Sequence, residues 1–446
     1  MKILCVSLGC DKNLVDTEMM LGLLNRDGHT FTDDENEADI IVVNTCCFIN
    51  DAKEESVNTI LEMAELKKTG KCKALIVTGC MAQRYKQEIL DEIPEVDGIL
   101  GTSTYDEISN VLKQALGGEE HISCFHDLNA LPEVETERVI TTGGHYAFLK
   151  IAEGCDKHCT YCIIPSLRGN YRSVPMERLL KEANQLADQG VRELILVAQE
   201  TTLYGVDLYG KKMLPELLHK LAEIPGIYWI RIQYCYPEEI TDELIEAIRT
   251  EEKVCHYLDV PIQHASDRIL KRMGRRTNQA QLREIIGKLR AAVPDIALRT
   301  TMIAGFPGET QEDHEEVMRF VDEMEFERLG VFTYSAEEDT PAATFPDQIP
   351  EEVKEERRDE IMELQQEIAF EKSESMVGRV LDVMIEGKVA DEAAYVGRTY
   401  MDAPNVDGYI FVNSGELFMS GDFVRVKVIG SNDYDLIGEV YDESAE

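Results

Sequence analysis

Three cysteines within eight residues, Cys155, Cys159 and Cys162, are the feature of this sequence that most directly indicates chemistry. The segment is too short to hold three disulfides, and thiolates at this spacing can all reach one side of an iron–sulfur cube. A cube has four irons, so three protein ligands leave one iron open. The spacing therefore predicts a catalytic cluster.

A zinc site or three buried thiols is the alternative. His158 is the local candidate for a fourth zinc ligand, and we interpret it as a loop residue.

A second set of cysteines recurs along the first 125 residues, at intervals of about one βα unit. Short apolar runs over residues 2–8, 38–43 and 72–77 each end in a turn, and these turns carry Cys10, Cys46 and Cys80. In a parallel sheet the carboxyl ends of the strands gather at one edge, where ligands bind. We therefore predict that the three cysteines converge as a second cluster site, with three unrelated buried thiols as the alternative.

The other six cysteines have no comparable pattern. They are Cys5, Cys47, Cys72, Cys124, Cys235 and Cys255, and the default for such residues is a small hydrophobe in the interior. Cys47 differs because it adjoins Cys46 and could substitute for it as a ligand. Neighbouring residues at a strand end point apart, however, so we expect no ligand role for Cys47.

Composition restricts the protein class and its partners. The 446 residues exceed the usual size of one domain, and 44% are hydrophobic, as in globular proteins. Twelve cysteines without a signal-peptide pattern or a long apolar segment predict a cytoplasmic protein without membrane association. The 85 acidic and 45 basic residues give a net charge of −40, which repels phosphate backbones and attracts basic partners. A nucleic-acid substrate would need a local basic patch.

The elements that must position these residues predict an α/β protein of three domains. The pattern of residues 1–126 predicts an N-terminal parallel-sheet domain, and the polar stretch 127–144 predicts a linker. Residues 145–345 contain six strand candidates alternating with helices, which predicts a partial TIM-like (βα)6 barrel: 146–151, 193–198, 228–234, 257–261, 297–304 and 329–334. A connecting helix over 346–372 and a small antiparallel β-barrel over 373–446 complete the prediction. Acidic residues far outnumber basic ones in this tail, which disfavours RNA binding.

Loops that follow barrel strands usually carry the chemistry. The cysteine segment 155–162 follows the first strand of the central domain. Further candidates at strand ends are Gln199 to Thr202, Gln263 and His264, Gly305 to Glu309, and Ser335 to Glu338.

The three-cysteine loop after the first strand of such a barrel resembles the radical S-adenosylmethionine superfamily. The resemblance implies that the open iron chelates the cofactor's amino and carboxyl groups, and that the reduced cluster cleaves it to a 5′-deoxyadenosyl radical. Tyr161 matches an aromatic position near the adenine, and its alternative is simple packing of the loop. Gln199 and Glu200 match the region that meets the methionyl amine, and Gly305 to Glu309 matches a turn beside the adenosyl group. Arg168 could neutralise a carboxylate or form a surface salt bridge.

Over its whole length the chain is similar to the methylthiotransferase family, which has an N-terminal three-cysteine domain, a radical barrel and a small C-terminal TRAM barrel. The motifs that carry the resemblance are Ser7-Leu8-Gly9-Cys10, Asn44-Thr45-Cys46, Thr78-Gly79-Cys80, Gly154-Cys155 through Cys162-Ile163-Ile164-Pro165, Arg168-Gly169, Tyr334-Ser335 and Thr340-Pro341. The resemblance implies that Cys10, Cys46 and Cys80 bind an auxiliary 4Fe-4S cluster. It implies that Cys155, Cys159 and Cys162 bind the radical-forming 4Fe-4S cluster.

Two branches of this family fit the sequence. One modifies an aspartate of the small-subunit ribosomal protein at the decoding centre, and the other modifies isopentenyladenosine in transfer RNA. Asp11-Lys12 resembles the ribosomal-protein branch, because the tRNA branch usually has Gln-Met there. The acidic tail agrees, since that ribosomal protein is strongly basic. We therefore expect a ribosomal-protein substrate, free or in the ribosome, and no stable tRNA binding.

The resemblance also implies a mechanism with two cofactor molecules. One methylates sulfur held by the auxiliary cluster, and the other yields the radical that removes hydrogen from the aspartate β-carbon. Both open irons must then face one space, so we predict that the N-terminal domain covers the mouth of the barrel. An electron donor such as flavodoxin or ferredoxin is expected, whereas the sequence shows neither the sulfur donor nor the residue that binds the aspartate. A two-cluster electron carrier is the remote alternative.

Overall fold

Residues 2–124 form a parallel sheet with helices on both faces. The computed structural model describes residues 1–132, 134 and 137–441. The strand order is β2-β1-β3-β4-β5-β6, and every pair is parallel. The elements of this unit are β1 (Lys2–Ser7), α1 (Asp11–Arg26), β2 (Thr30–Phe31), β3 (Ile40–Thr45), α2 (Asn50–Thr69), β4 (Ala74–Gly79), α3 (Cys80–Tyr85), α4 (Gln87–Glu92), β5 (Gly98–Leu100), α5 (Ile108–Leu116) and β6 (Ile122–Cys124).

Strands β3 and β4 are buried at every residue, which explains their continuous apolar sequence. Two short helices, α3 and α4, follow β4. They are separated at Lys86, whose φ of +43° cannot belong to a right-handed helix.

The central unit is an open sheet of six parallel strands, in the order β14-β13-β12-β11-β10-β7. Its elements are β7 (Tyr146–Lys150), β8 (Ala152–Glu153), α6 (Ile164–Arg168), β9 (Arg172–Ser173), α7 (Met176–Asp188), β10 (Glu193–Val197), α8 (Val206–Tyr209), α9 (Leu214–Ala222), β11 (Trp229–Ile232), α10 (Asp242–Thr250), β12 (Val254–Asp259), α11 (Asp267–Arg272), α12 (Gln279–Ala292), β13 (Ala297–Ala304), α13 (Gln311–Met324), β14 (Arg328–Thr333) and α14 (Glu351–Ser375). The alternation of six strands with helices gives the predicted partial barrel, and the mixed α/β class is confirmed.

The C-terminal unit is a closed five-stranded barrel, in the order β15-β16-β17-β19-β18. Its strands are β15 (Val380–Lys388), β16 (Ala394–Arg398), β17 (Ile410–Asn413), β18 (Phe423–Asn432) and β19 (Asp435–Val440). Sequence patterns missed β16 and β19. The pair β17–β19 is parallel, so the barrel is not antiparallel throughout. The predicted unit extended to residue 446, and residues 442–446 lie outside the described part of the chain.

The C-terminal barrel packs on the amino ends of the central strands. Asn405 donates to the hydroxyl of Tyr146 at 3.1 Å, and the hydroxyl of Tyr257 donates to Asp407 at 3.0 Å. The cysteine loop leaves the opposite end of this sheet. The C-terminal barrel therefore covers the end of the central unit that lies opposite the candidate site.

The stretch from 127 to 144 lies against two helices of different units. Its residues 133, 135 and 136 lie outside the described part of the chain. Arg138 is buried and pairs with Glu18 of α1 at 3.1 Å and with Glu182 of α7 at 2.8 Å. The connection thus ties the N-terminal unit to the central unit. No helix in the described ranges is long and apolar enough to cross a bilayer.

Candidate functional site

The three N-terminal cysteines follow three neighbouring strands at one edge of their sheet. The register aligns Ser7 of β1 with Asn44 of β3, and Asn44 with Thr78 of β4. Cys10, Cys46 and Cys80, the N-terminal trio, come shortly after these aligned positions. The structure therefore brings together the three cysteines that the sequence spacing predicted to converge.

The lack of a side chain at Gly9 and the hydrogen bonds of the Asn13 side chain allow the three turns to approach closely. A Cβ at Gly9 would lie 2.6 Å from Cβ and 2.8 Å from Sγ of Cys46, and Gly9 has a φ of +86°. Asn13 donates to the carbonyl oxygens of Leu8 at 3.0 Å and Thr45 at 2.9 Å. The Oδ1 of Asn13 lies 3.9 Å from the sulfur of Cys80. Asn13 therefore holds all three turns in one arrangement.

The thiols of this trio are close enough to affect one another's ionisation. Burial raises the pKa of Cys46 and Cys80, and neighbouring trio thiols raise both further. The Arg168 guanidinium opposes this shift at both thiols. All cysteines are free, so no disulfide competes for these sulfurs.

The second cysteine set is held in a loop after β7 and β8. The Cys155 N–H donates to the Gly169 carbonyl at 3.1 Å, and the Thr160 N–H donates to the Met273 carbonyl at 2.9 Å. Gly154 has a φ of +78°, and neighbouring backbone oxygens leave no room there for a Cβ. The loop that carries Cys155, Cys159 and Cys162, the central trio, is therefore anchored on both sides.

Burial also dominates the ionisation of Cys155 and Cys162 in the central trio. It raises the pKa of Cys155 to about 11 and that of Cys162 to about 12, and the charge of Cys159 adds to both shifts. His158 is exposed, consistent with its interpretation as a loop residue. Among the described residues, no three His, Cys, Asp or Glu side chains are arranged to hold a single metal ion. A cube binds each thiolate at a different iron, so its ligands stand farther apart than those of a single ion.

Glu200 is a buried acid whose second oxygen has no partner. Oε1 accepts a hydrogen bond from the Thr202 N–H at 3.0 Å and another from the Thr202 hydroxyl, whereas Oε2 has no partner among the described residues. Burial raises the pKa of Glu200 to about 7. Gln199 donates to Glu153 at 3.1 Å, and its own oxygen is also unpartnered. Both residues therefore retain capacity to bind a ligand donor.

Tyr161 packs against Phe306 of the predicted glycine turn. The ring centroids are 6.4 Å apart in an edge-to-face arrangement. Glu309 accepts from the N–H groups of Gly305 at 2.8 Å and Phe306 at 3.0 Å, and pairs with Arg357 at 3.0 Å. The carboxylate of Glu309 thus stabilises the turn, and a cofactor contact by Glu309 stays a prediction.

A buried network of charges joins the two cysteine regions. Arg168 pairs with Asp16 of α1 at 2.8 Å and with Glu153 at 3.2 Å, and it also donates to Asn13. Lys150 pairs with the same two acids. Arg168 is only 2% exposed, so the alternative of a surface salt bridge is wrong. It links α6, beside the central trio, to the asparagine that holds the N-terminal trio.

The segment Tyr234 to Tyr236 lies between the two trios. The Tyr234 hydroxyl donates to Asp11 at 3.1 Å, next to Cys10. The Tyr236 hydroxyl lies 3.8 Å from the sulfur of Cys159. The N-terminal unit therefore sits at the carboxyl ends of the central strands, as predicted, and the two trios face the same short segment.

Sequence reasoning missed this segment and Arg275. Buried Arg275 lies over the Tyr236 ring, 4.2 Å from its centroid, and its Nε and Nη1 have no hydrogen-bond partner among the described residues. The only sequence signal was a pair of tyrosines at a strand end. Lys12, from the pair that favours the ribosomal-protein branch, lies over the Tyr234 ring at 3.3 Å.

Three family models match successive parts of the chain. They are "Uncharacterized protein family UPF0004" over residues 2–101, "Radical SAM superfamily" over 149–321 and "TRAM domain" over 377–440. The second matched range contains the central trio, and the first contains the N-terminal trio.

Curated relatives match almost end to end. "Ribosomal protein uS12 methylthiotransferase RimO" of Lachnoclostridium phytofermentans is 68% identical, covering 98% of this chain and 99% of that protein. The proteins of the same name from Acetivibrio thermocellus and Clostridioides difficile are 52% and 49% identical, each covering 100% of this chain and at least 99% of the relative.

Solved structures share the fold at low identity. The radical S-adenosylmethionine methyltransferase TsrM of Kitasatospora setae has a TM-score of 0.54 at 13% identity, over 76% of this chain and 74% of that one. The cobalamin-dependent S-adenosylmethionine radical enzyme OxsB has a TM-score of 0.52 at 15% identity, over 82% of this chain and 56% of that one.

Proposed function

The chain belongs to the RimO family of ribosomal protein uS12 methylthiotransferases, and from this membership we propose that it places a methylthio group on the β-carbon of an aspartate of uS12. It is a radical S-adenosylmethionine enzyme, and its cofactors include that molecule and a 4Fe-4S cluster. The observation that carries the proposal is that one short segment, Tyr234 to Tyr236, contacts Cys159 of the central trio and Asp11, the residue next to Cys10.

The residues present fit two 4Fe-4S clusters. Each trio supplies three free thiols from closely spaced turns, and thiolates are the ligands that such clusters require. In this proposal Cys155, Cys159 and Cys162 hold the radical-forming cluster, and Cys10, Cys46 and Cys80 hold the auxiliary one. When bound, the clusters and S-adenosylmethionine supply the hydrogen-abstracting radical, the methyl group and the sulfur.

Unpartnered polar atoms beside the central trio fit S-adenosylmethionine. The Oε2 of Glu200 can accept from the cofactor's ammonium, and the free N–H groups of Arg275 can donate to its carboxylate. The charge of Glu200 raises the pKa of Cys155, and the charge of Cys159 raises the pKa of Arg275. The side chains of Glu200 and Arg275 therefore lie near the central trio. Gln199 offers a second acceptor, whereas Tyr161 and the turn at Gly305 provide an apolar wall.

The chain's own residues also keep the site ordered and shielded from water. Asn13, Arg168 and Asp16 join the two trios through buried hydrogen bonds, which are strong where water is excluded. Lys157 pairs with Glu238 at 3.3 Å and with Glu239, which fixes the cysteine loop over the strand ends. The net charge of −40 favours approach of a basic protein over a phosphate backbone.

A substrate choice experiment tests the proposal. The protein is reconstituted with iron and sulfide without oxygen, then given S-adenosylmethionine, reductant and a sulfur source together with either uS12 or tRNA. We expect methylthio mass on a uS12 aspartate only. Product on tRNA alone would reverse the substrate assignment, and absence of 5′-deoxyadenosine with either substrate would favour the electron carrier.

A further inference from the structure

Lys12 is a buried cation without an anion at the junction of the two cysteine trios. The residue is 6% exposed, and its Nζ lies 3.3 Å from the centroid of the Tyr234 ring. Within the described ranges it makes no salt bridge and no hydrogen bond through its ammonium group. The side chain is largely buried while its ammonium keeps some access to solvent, so the cation contacts the ring and remains able to bind an anion.

Other lysines near the site have acidic partners. Lys150 pairs with Asp16 and with Glu153, and Lys157 pairs with Glu238 and Glu239. These two cations are therefore committed to the fold. Lys12 alone among the three keeps its charge available.

The nearest acid in sequence, Asp11, does not pair with Lys12. Asp11 accepts a hydrogen bond from the Tyr234 hydroxyl at 3.1 Å and makes no salt bridge with Lys12. Tyr234 thereby holds Asp11 through its hydroxyl and contacts Lys12 through its ring. Tyr234 also has a φ of +61°, a conformation that costs free energy in a non-glycine residue and is common at functional sites.

Lys12 contacts the segment Tyr234 to Tyr236, which reaches Asp11 beside Cys10 and Cys159. It comes two residues after Cys10, and Tyr234 is two residues before Tyr236, whose hydroxyl lies 3.8 Å from Cys159 Sγ. A ligand anion on Lys12 would therefore lie at the segment that reaches both cysteine regions. Half-buried Cys10 and Asp11 leave this region open to a ligand.

We propose that the Lys12 ammonium binds the side-chain carboxylate of the substrate aspartate, an inference that rests on the proposed function. In aspartate the carboxyl carbon is bonded directly to the β-carbon. A fixed carboxylate therefore places the carbon that loses hydrogen and gains sulfur between the trios. Lys12 acts here as a substrate-positioning and specificity residue.

The test measures binding of uS12 to the full-length, cluster-reconstituted protein without turnover. Lys12→Met is compared with the wild type against uS12 and against uS12 with the substrate aspartate changed to Asn. Loss of one partner of a buried charge pair costs binding strongly, so we expect each single change to weaken binding about 30-fold or more. Lys12→Met should bind the Asn variant of uS12 no more weakly than either change alone weakens binding. Lys12→Arg, which keeps the charge, should bind more tightly than Lys12→Met.

The control is Lys113→Met, which removes a charge from an exposed lysine of α5 that pairs with Asp27. It should leave the dissociation constant unchanged. If Lys12→Met weakened binding of both uS12 proteins equally, Lys12 would only dock the two units and the inference would be wrong, while the proposed function would stand. Lys12→Gln replaces Lys12→Met if iron content or thermal unfolding shows that the latter is misfolded. Failure of the wild type to bind or modify uS12 would overturn both the inference about Lys12 and the proposed function.

Discussion

At the scale of single residues, the site combines buried thiols with a few polar atoms that the protein itself leaves unpaired. The spacing of the central trio and the recurrence of strand, turn and cysteine in the N-terminal unit were sufficient to predict both trios. Arg275 and Tyr236 were not predictable, because their roles depend on strands brought together from distant parts of the chain. The role of Glu309 in its own turn was missed for the same reason, since its partner Arg357 lies on a later helix.

The two trios should be separable by substitution. Cys159→Ala should abolish cleavage of S-adenosylmethionine, because the central cluster loses a ligand. Cys46→Ala should retain cleavage but stop transfer of sulfur. Iron content should fall from about eight to about four per chain in each variant. The measurements are iron analysis and yields of 5′-deoxyadenosine and methylthiolated product.

Cys124→Ala is the matched control, since this half-buried thiol lies outside both trios. It should keep full iron content. Unchanged product formation in Cys46→Ala would refute the auxiliary cluster.

Cofactor affinity should depend on pH through Glu200. Burial raises the pKa of Glu200 to about 7, so the carboxylate that we propose pairs with the cofactor's ammonium is lost as the pH falls below that value. We expect the dissociation constant of S-adenosylmethionine to rise up to about tenfold per pH unit below pH 7. Glu200→Gln should bind weakly at every pH, whereas exposed Glu223→Gln should behave as the wild type. Equal affinity of Glu200→Gln and the wild type would show that Glu200 does not bind the cofactor.

At the scale of elements, turns and short helices position the chemistry, and these were the least predictable parts. Apolar runs predicted the six strands of the central sheet because five of them, all except β14, are largely buried. The strands β16 and β19 were missed because they belong to a small barrel whose short strands are broken by polar turn residues. The junction between α6 and α1 was also unpredictable, since it pairs residues 152 positions apart.

This junction should contribute strongly to stability. Arg168→Met would leave Asp16 and Glu153 with less compensation in a buried site, so we expect a loss of about 3–5 kcal/mol in the free energy of unfolding. Denaturant unfolding without oxygen measures the change. Arg249→Met, which removes an exposed pair with Glu246, should cost far less, because solvent screens that pair. Similar losses in the two variants would contradict the assigned role of the junction.

The turn after β4 should not tolerate a side chain. Gly79 has a φ of +91°, and a Cβ there would lie 2.5 Å from the Thr45 carbonyl oxygen. Gly79→Ala should therefore displace Cys80 and lower the occupancy of the auxiliary cluster more than that of the central one. Gly118→Ala, at a φ of +89° with open space around it, separates backbone strain from displacement of the cysteine. Full auxiliary-cluster occupancy in Gly79→Ala would contradict this expectation.

At the scale of the whole molecule, the N-terminal and C-terminal units lie at opposite ends of the central sheet. The N-terminal unit covers the strand ends that carry the central trio, and the C-terminal barrel closes the opposite ends. The sequence predicted the first placement from the requirement that two clusters share a substrate. It did not predict the second placement, because no local sequence pattern indicates that Asn405 and Asp407 contact tyrosines of the central sheet.

The central claim is that the two trios hold clusters that form one active site. Electron paramagnetic resonance of the fully reduced protein tests it most directly, with Cys46→Ala and Cys159→Ala as the single-cluster references. We predict that the wild-type spectrum shows magnetic interaction between two cluster spins that neither variant shows. A wild-type spectrum equal to the sum of the two variant spectra would contradict the claim.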